Sequence, residues 1–411
     1  MSLLFIIFFS LIFHYPLVSP QKTLYAPIQK DPITLLYTIT LHLKTPPQPT
    51  KLHLDIGASF TWLDCTNYTS PKSKRISCSS PICASFHTYA CANHSCSLYP
   101  ENPITRQATL AAAFTDTLSL PEADNGSSAP VQFVPVPGFV FSCSRTFLLN
   151  GLAKDVAGLA ALGRSSHSLP AQITTAVSSP RRFALCLSSS TGVVLFGSSG
   201  GGGSYSNSLV YTKLIVNPVG STVISYGQQP SDEYFISLTS IKVNGKPVNF
   251  NRSQIQIDEN GYGGTKISTD TPYTILESSI YEAFVKLFVN ESAGLNLTVT
   301  NAVKPFDVCY KASDVIGTRV GPGVPTVDFV MESDDVFWRI FGSNSMVRIE
   351  RDDVDVWCLG FVDGGVNMRS AVVIGGHQME DNVIVFDLDE NRFGFSSSLL
   401  LKGTNCANFK Y

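Results

Sequence analysis

The chain has 411 residues, of which 15% are charged, and a formal net charge of −3. That balance excludes the basic footprint of a nucleic-acid-binding protein, and the length is too great for one ordinary core and comfortable for two. Phe, Val, Ile, Leu and Thr abound, which suits β-sheet better than charged surface helix.

Residues 1–20 contain no Asp, Glu, Lys or Arg, and Leu3–Phe13 is apolar apart from Ser10. The run is too short to cross a bilayer and is followed by Val18, Ser19 and Pro20, so it predicts a secretory leader cut near residue 20. No later stretch is apolar for long enough to span a membrane, and no membrane partner is expected. Strand-length apolar runs then recur at Leu35–Leu43, Lys51–Leu54, Phe139–Phe141, Val193–Phe196, Ile236–Val243, Val324–Met331, Ala371–Ile374 and Val383–Phe386. Gly, Pro, Asn and Ser separate them. One helix is predicted at Ser278–Val289, with Ile280, Tyr281, Phe284, Val285 and Phe288 on one face. Gly197–Ser208 reads as a surface loop. The polar stretch Ser225–Glu233 is the better boundary, giving parts at 21–225 and 226–411. The two share a plan: opening strands, a turn with hydroxyl or acidic residues, then an apolar pair before Gly. That last element is Ala161-Leu162-Gly163-Arg164 in the first part and Val373-Ile374-Gly375-Gly376 in the second.

Ten cysteines, all after the leader, suggest five disulfides in an oxidising compartment. Cys78, Cys83, Cys91 and Cys96 lack CxxC spacing, with only His87 and His94 among them, so zinc is not expected. Sequons begin at Asn67, Asn93, Asn125, Asn251, Asn290 and Asn296, and some are expected to carry glycan. His87, His94, His167 and His377 show no nucleophile or metal-ligand grouping, and Ser59 lies outside any Gly-x-Ser-x-Gly elbow. No cofactor or metal is expected.

Asp55-Ile56-Gly57-Ala58-Ser59 followed by Trp62-Leu63-Asp64-Cys65 resembles the Asp-Thr-Gly-x-Ser turn and Trp-x-x-Cys of pepsin-like aspartic proteases, in their plant branch. Ala157–Arg164 with Ser168-Leu169-Pro170-Ala171-Gln172, and later Val373–Gln378, Phe386-Asp387-Leu388 and Arg392–Phe395, are similar to further family signatures in the same order. The resemblance implies an all-β, two-lobed pepsin-like fold with a few short helices. Such an enzyme needs one aspartate per lobe, because two carboxyls about 3 Å apart share a proton and so divide the roles of base and acid. Aligned on Thr274, Leu276 and Tyr281, the second catalytic position is Ser268, and the turn glycine is Asp270. Asp270 lies two residues on, up to roughly 7 Å along an extended chain, beyond the reach a shared proton requires. Ile56 replaces a turn threonine whose hydroxyl would tie the paired loops. The expected flap, ahead of Phe114–Leu118, holds Ala111, Ala112 and Ala113 but no Tyr-Gly. Asp55 and Ser268 are therefore read as vestigial and the chain as no working protease, with Asp55 holding local backbone amides.

A narrower likeness rests on Glu101-Asn102-Pro103, Gly263–Ser268, Thr274–Tyr281, Gly342–Val347, Cys358-Leu359-Gly360, Val362–Gly365, Ile374–Gln378 and Cys406–Phe409. These resemble a plant group of extracellular dermal glycoproteins, TAXI-type xylanase inhibitors and basic 7S globulins. The resemblance implies a secreted, monomeric apoplastic defence protein whose partner is a microbial cell-wall-degrading glycoside hydrolase, a xylanase or endo-β-glucanase. Loop side chains of such proteins enter the hydrolase cleft, where two carboxylates flank the scissile bond and a cation is a fitting plug. Arg319, within Gly317–Pro322, matches an inhibitory arginine of the dermal-glycoprotein type. Lys402 stands where the xylanase-inhibitor type has a histidine, and Gly403 where the dermal-glycoprotein type has a second arginine. A seed storage or peptide-binding role like that of the 7S globulins, and a residual endopeptidase, are the competing readings. The expected disulfides are Cys65–Cys143, Cys186–Cys406 and Cys309–Cys358, with Cys78, Cys83, Cys91 and Cys96 pairing among themselves.

Overall fold

In the computed structural model, residues 23–123, 131–198, 208–224, 229–351 and 353–408 are described. The expected leader, the sequon at Asn125 and the boundary at residue 225 lie outside them.

Alternation of apolar and polar side chains drives the strands. In Tyr37–Leu43 the buried Tyr37, Ile39, Leu41 and Leu43 share one face. The strand begins at Tyr37 rather than Leu35, because the chain first turns: the Asp31 carboxylate accepts from the amides of Ile33 and Thr34 at 3.2 and 2.7 Å, and Leu35 sits at φ 60°. The run Ile236–Val243, read as one strand, is two. Tyr234–Ile236 pairs with Thr265–Ile267, whereas Ser240–Val243 pairs with Val327–Val330 in another sheet. Between them Thr239 turns its hydroxyl onto the carbonyls of Val330 and Met331.

Each half builds the same four-strand crossing. In the first, Gln48–Asp55 runs parallel to Gly158–Ala161, which is antiparallel to Trp62–Asp64, itself parallel to Phe133–Ser144. In the second, Thr265–Ile267 runs parallel to Val372–Ile374, which is antiparallel to Thr274–Leu276, itself parallel to Phe361–Asp363. The turns following Asp55 and Ile267 thus emerge from equivalent places. Gly158 is required at its crossing, since a Cβ there would lie 2.1 Å from the Trp62 carbonyl oxygen.

The halves are joined through sheet. Arg182–Cys186 pairs with Thr191–Phe196 on one edge and Val383–Asp387 on the other, and Val210–Ile215 pairs with Arg392–Phe395. One apolar core runs through both, with Phe183 stacked on Phe386 at 4.7 Å and Tyr234 against Phe386 at 4.3 Å. The helix is Ser278–Ala293, longer than expected by one turn, with Ile280, Tyr281, Phe284 and Phe288 buried. Glu277 caps it by accepting from the amides of Ser279 and Ile280. No helix among the described residues is long and apolar enough to cross a membrane.

Five disulfides staple the chain: Cys65–Cys143, Cys78–Cys91, Cys83–Cys96, Cys186–Cys406 and Cys309–Cys358. The two in the small cluster each span 13 residues, a choice the spacing left open. Among the described residues no His/Cys/Asp/Glu group could hold a metal ion.

Candidate functional site

The Asp55 turn and the Ser268–Thr269 turn meet at the base of a cleft of about 510 Å³. Asp55 is 5% exposed, and its Oδ1 accepts from the amides of Gly57 at 2.6 Å and Ala58 at 3.0 Å. Burial, and then the nearby Asp270 carboxylate, push its carboxyl well above the usual range. Among the described residues no second carboxyl hydrogen-bonds it. Asp270 turns instead to His53, at 3.1 Å from Oδ1 to Nε2, and to the Ser268 hydroxyl at 3.3 Å. His53 lies two residues before Asp55 and is fully buried.

The two turns are tied on one side only. Thr269 donates its hydroxyl to Leu54 O at 2.7 Å and accepts from Ile56 N at 3.2 Å. At the equivalent first-half position Ile56 is buried and has no hydroxyl to offer in return. Beside them Lys266 meets Glu233 at 2.7 Å, while Ser221 and Ser231 donate to the other Glu233 oxygen at 2.9 and 3.0 Å. Burial opposes ionisation of both partners, yet Glu233 is held below the usual carboxylate range by Lys266 and the two hydroxyls, and Lys266 above the usual ammonium range by Glu233, Asp270 and Asp55. Neither Glu233 nor Lys266 belongs to the turn signatures; their meeting depends on strand pairing between Tyr234–Ile236 and Thr265–Ile267.

Ala111, Ala112 and Ala113 open the strand Ala111–Pro121 rather than forming a flap tip. The tip is the preceding hairpin, whose short strands Glu101–Asn102 and Gln107–Ala108 pair and whose Glu101, Pro103, Ile104 and Arg106 line the cleft. Ser85 and His167 also meet on the cleft wall, Oγ to Nε2 at 2.9 Å, with Phe86 stacked on the imidazole at 3.8 Å. The Ser85 hydroxyl is also 2.7 Å from Ile82 O, so its proton caps a helix end rather than serving the imidazole. His377 is buried in a charged network with Glu380.

Arg319 is exposed at the tip of the hairpin formed by Gly317–Thr318 and Gly321–Pro322. Its guanidinium donates to Leu401 O at 3.4 Å. Lys402, next along, ends the 3₁₀ turn Leu399–Lys402, is exposed, and donates to Ser208 Oγ at 3.1 Å. The two loops therefore touch, the Arg319 guanidinium lying on the residue before Lys402; Ile316 and Leu401, on the same two segments, are 77% and 43% exposed. The sequons at Asn67, Asn93, Asn251, Asn290 and Asn296 are all exposed.

A doubled four-strand crossing that brings two turns together beneath a hairpin defines the class as a pepsin-like, two-lobed protein. The xylanase inhibitor N-terminal family matches residues 37–198 and the xylanase inhibitor C-terminal family residues 233–397, and the chain belongs to this family. It is 55% identical over 398 residues to "Probable aspartic proteinase GIP1" of Glycine max, covering 95% of this chain and 92% of that one. The crystal structure of edgp superposes with a TM-score of 0.89 at 42% identity, covering 94% of this chain and 98% of that one. Conglutin gamma, described as a unique basic 7S globulin from lupine seeds, does so at 0.80 and 32%, covering 95% and 99%.

Proposed function

We propose that this is a secreted pepsin-fold pseudoenzyme that inhibits a microbial cell-wall-degrading glycoside hydrolase, a xylanase or endo-β-glucanase, in plant defence. Arg319 is the main contact and Lys402 the second. The observation that carries the reading is the meeting of the two loops: the Arg319 guanidinium rests on Leu401, the residue before Lys402, on exposed segments that also carry Ile316. A guanidinium matches a cleft carboxylate with two charge-assisted hydrogen bonds, and a glycosidase presents two such carboxylates. Family membership and the xylanase-inhibitor description of that family support the same partner.

Peptidase chemistry is not proposed, whatever the name of the soybean relative. Ser268 stands where the second catalytic aspartate is required, and a lone Asp55 cannot supply both base and acid. The 21–225 and 226–411 halves are taken as the two lobes, and the protein as a monomer in the apoplast. Exposed sequons and five disulfides suit that compartment.

The test is a panel of fungal xylanases and endoglucanases assayed with and without the pure protein. Competitive inhibition of at least one is expected, and Arg319→Ala then costs about 2–5 kcal/mol, mostly through faster dissociation. Lys402→Ala costs less. Equal inhibition constants for wild type and Arg319→Ala overturn the contact assignment; no inhibition across the panel, with binding of a peptide instead, favours a storage or peptide-binding role.

A further inference from the structure

After Ile215 the chain runs along the cleft, where Gly220, Ser221, Thr222 and Ile224 line it alongside Asp55, Glu233 and Lys266. This segment is gripped from both sides. From the first half, Arg106 donates to the Ser221 carbonyl and Glu101 Oε2 accepts from Val223 N at 2.8 Å. Glu101 and Arg106 are themselves paired at 2.7 Å, so one ion pair holds two neighbouring points of the strap. From the second half, Arg369 donates to Val219 O at 2.8 Å and Gly220 O at 3.3 Å, and Glu233 accepts from the Ser221 hydroxyl. Asn217 anchors the base by donating to Gly261 O at 2.9 Å and accepting from Val219 N at 3.0 Å.

We propose that Val219–Ile224 is a strap that closes the cleft over its carboxylates, latched to the flap hairpin by Glu101 and Arg106 and to the second half by Arg369. The strap's main chain takes up hydrogen-bonding groups of the hairpin and of the far wall. A ligand that is to reach the carboxylates beneath the strap must first break this latch.

Glu101 sits among several charges: Arg106 on its own hairpin, and Glu233 and Asp270 from the second half, with Lys266 paired to Glu233. Burial and the like charges of Glu233 and Asp270 raise its carboxyl, against the pull of Val223 N and Arg106, so the contacts that make the latch are the ones that favour its charged form.

Hydrogen exchange of the full-length protein reads the latch directly at the amides of residues 219–224. Arg106→Ala is expected to speed strap exchange at least tenfold at pH 7, with the shared sheet unchanged. Glu101→Ala removes the acceptor for Val223 N and is expected to speed exchange in the strap as well. Trp62, whose Nε1 donates to Glu101 O at 3.0 Å on the cleft wall, should become more accessible to acrylamide when the latch opens. Strap exchange in Arg106→Ala equal to wild type overturns the latch. If Arg106→Ala unfolds, Arg369→Ala at the other end must show the same local opening. A Glu101→Ala strap that exchanges at the wild-type rate overturns the role of Glu101.

Discussion

Glu380 joins the N-terminal strands to the second half, and its substitution by glutamine is the sharpest test of what holds the halves in register. Its side chain is 7% exposed, and three groups converge on it. Lys30 Nζ and the Tyr37 hydroxyl reach Oε1 at 2.6 and 2.7 Å, and His377 Nδ1 reaches Oε2 at 3.2 Å. Burial opposes the charge, but His377 and Lys30 overcome it and bring the carboxyl down to about 2 from the usual 4.5. Tyr37 is pushed the other way by burial and by Glu380, so it remains a donor. A carboxyl lowered by that amount contributes about 3 kcal/mol at neutral pH. Because the folded value is depressed, the contribution is present above about pH 4.5 and is lost as pH falls toward 2. Glu380→Gln should therefore cost about 3–5 kcal/mol at pH 7, since it strands Lys30 in a buried setting. It should also flatten the loss of stability between about pH 4.5 and 2. Guanidinium unfolding at pH 7, 4 and 2.5, wild type against variant, measures both. The same pH slope in the two proteins would refute the assignment, whatever the absolute difference.

Other outcomes follow from the turn pair and the staples. Thr269→Val removes a buried hydroxyl that bonds Leu54 O and Ile56 N and should cost about 1–3 kcal/mol by denaturant unfolding. Replacing both Cys186 and Cys406 by serine opens a closure spanning 220 residues, worth about 5 kcal/mol in the chain-entropy account; an unchanged denaturation midpoint would contradict that. Ser268→Asp should confer no pepstatin-sensitive cleavage at acid pH, because Asp270 and His53 occupy the space behind the turn and Ile56 leaves the pair tied on one side. Cleavage of a denatured protein substrate by that variant would show the remaining geometry to be sufficient.

The parts of this molecule that could be read from the chain are those written locally. The Asp55 turn, the apolar face of the helix at Ser278–Ala293 and the buried alternation of Tyr37–Leu43 each depend on residues a few positions apart. What could not be read depends on partners far along the chain. His53 and Asp270 are 217 positions apart, and neither sits in a motif that predicts the other. The division of Ile236–Val243 between two sheets depends on distant partners, since Tyr234–Ile236 is received by Thr265–Ile267 and Ser240–Val243 by Val327–Val330. Ala111–Ala113 directly precede Phe114–Leu118, the place where likeness puts a flap, but they continue the strand and the hairpin lies further back. Likeness alone singles out Arg319 and Lys402, while the meeting of their two loops depends on the fold.

The strand Arg182–Cys186 has a bearing on how the chain is made. One of its edges is filled early, by Thr191–Phe196, but the other waits for Val383–Asp387, about 200 residues later in synthesis. At roughly 5–20 residues per second that edge stands open for about 10–40 s after it leaves the ribosome. An unpaired edge carrying buried Phe183 and Leu185 is a template for pairing with another nascent chain. The first half can collapse around its own core in that interval, but its exposed edge is sealed only when the last strands arrive, so a chain truncated before Val383 leaves the ribosome with a permanently sticky side.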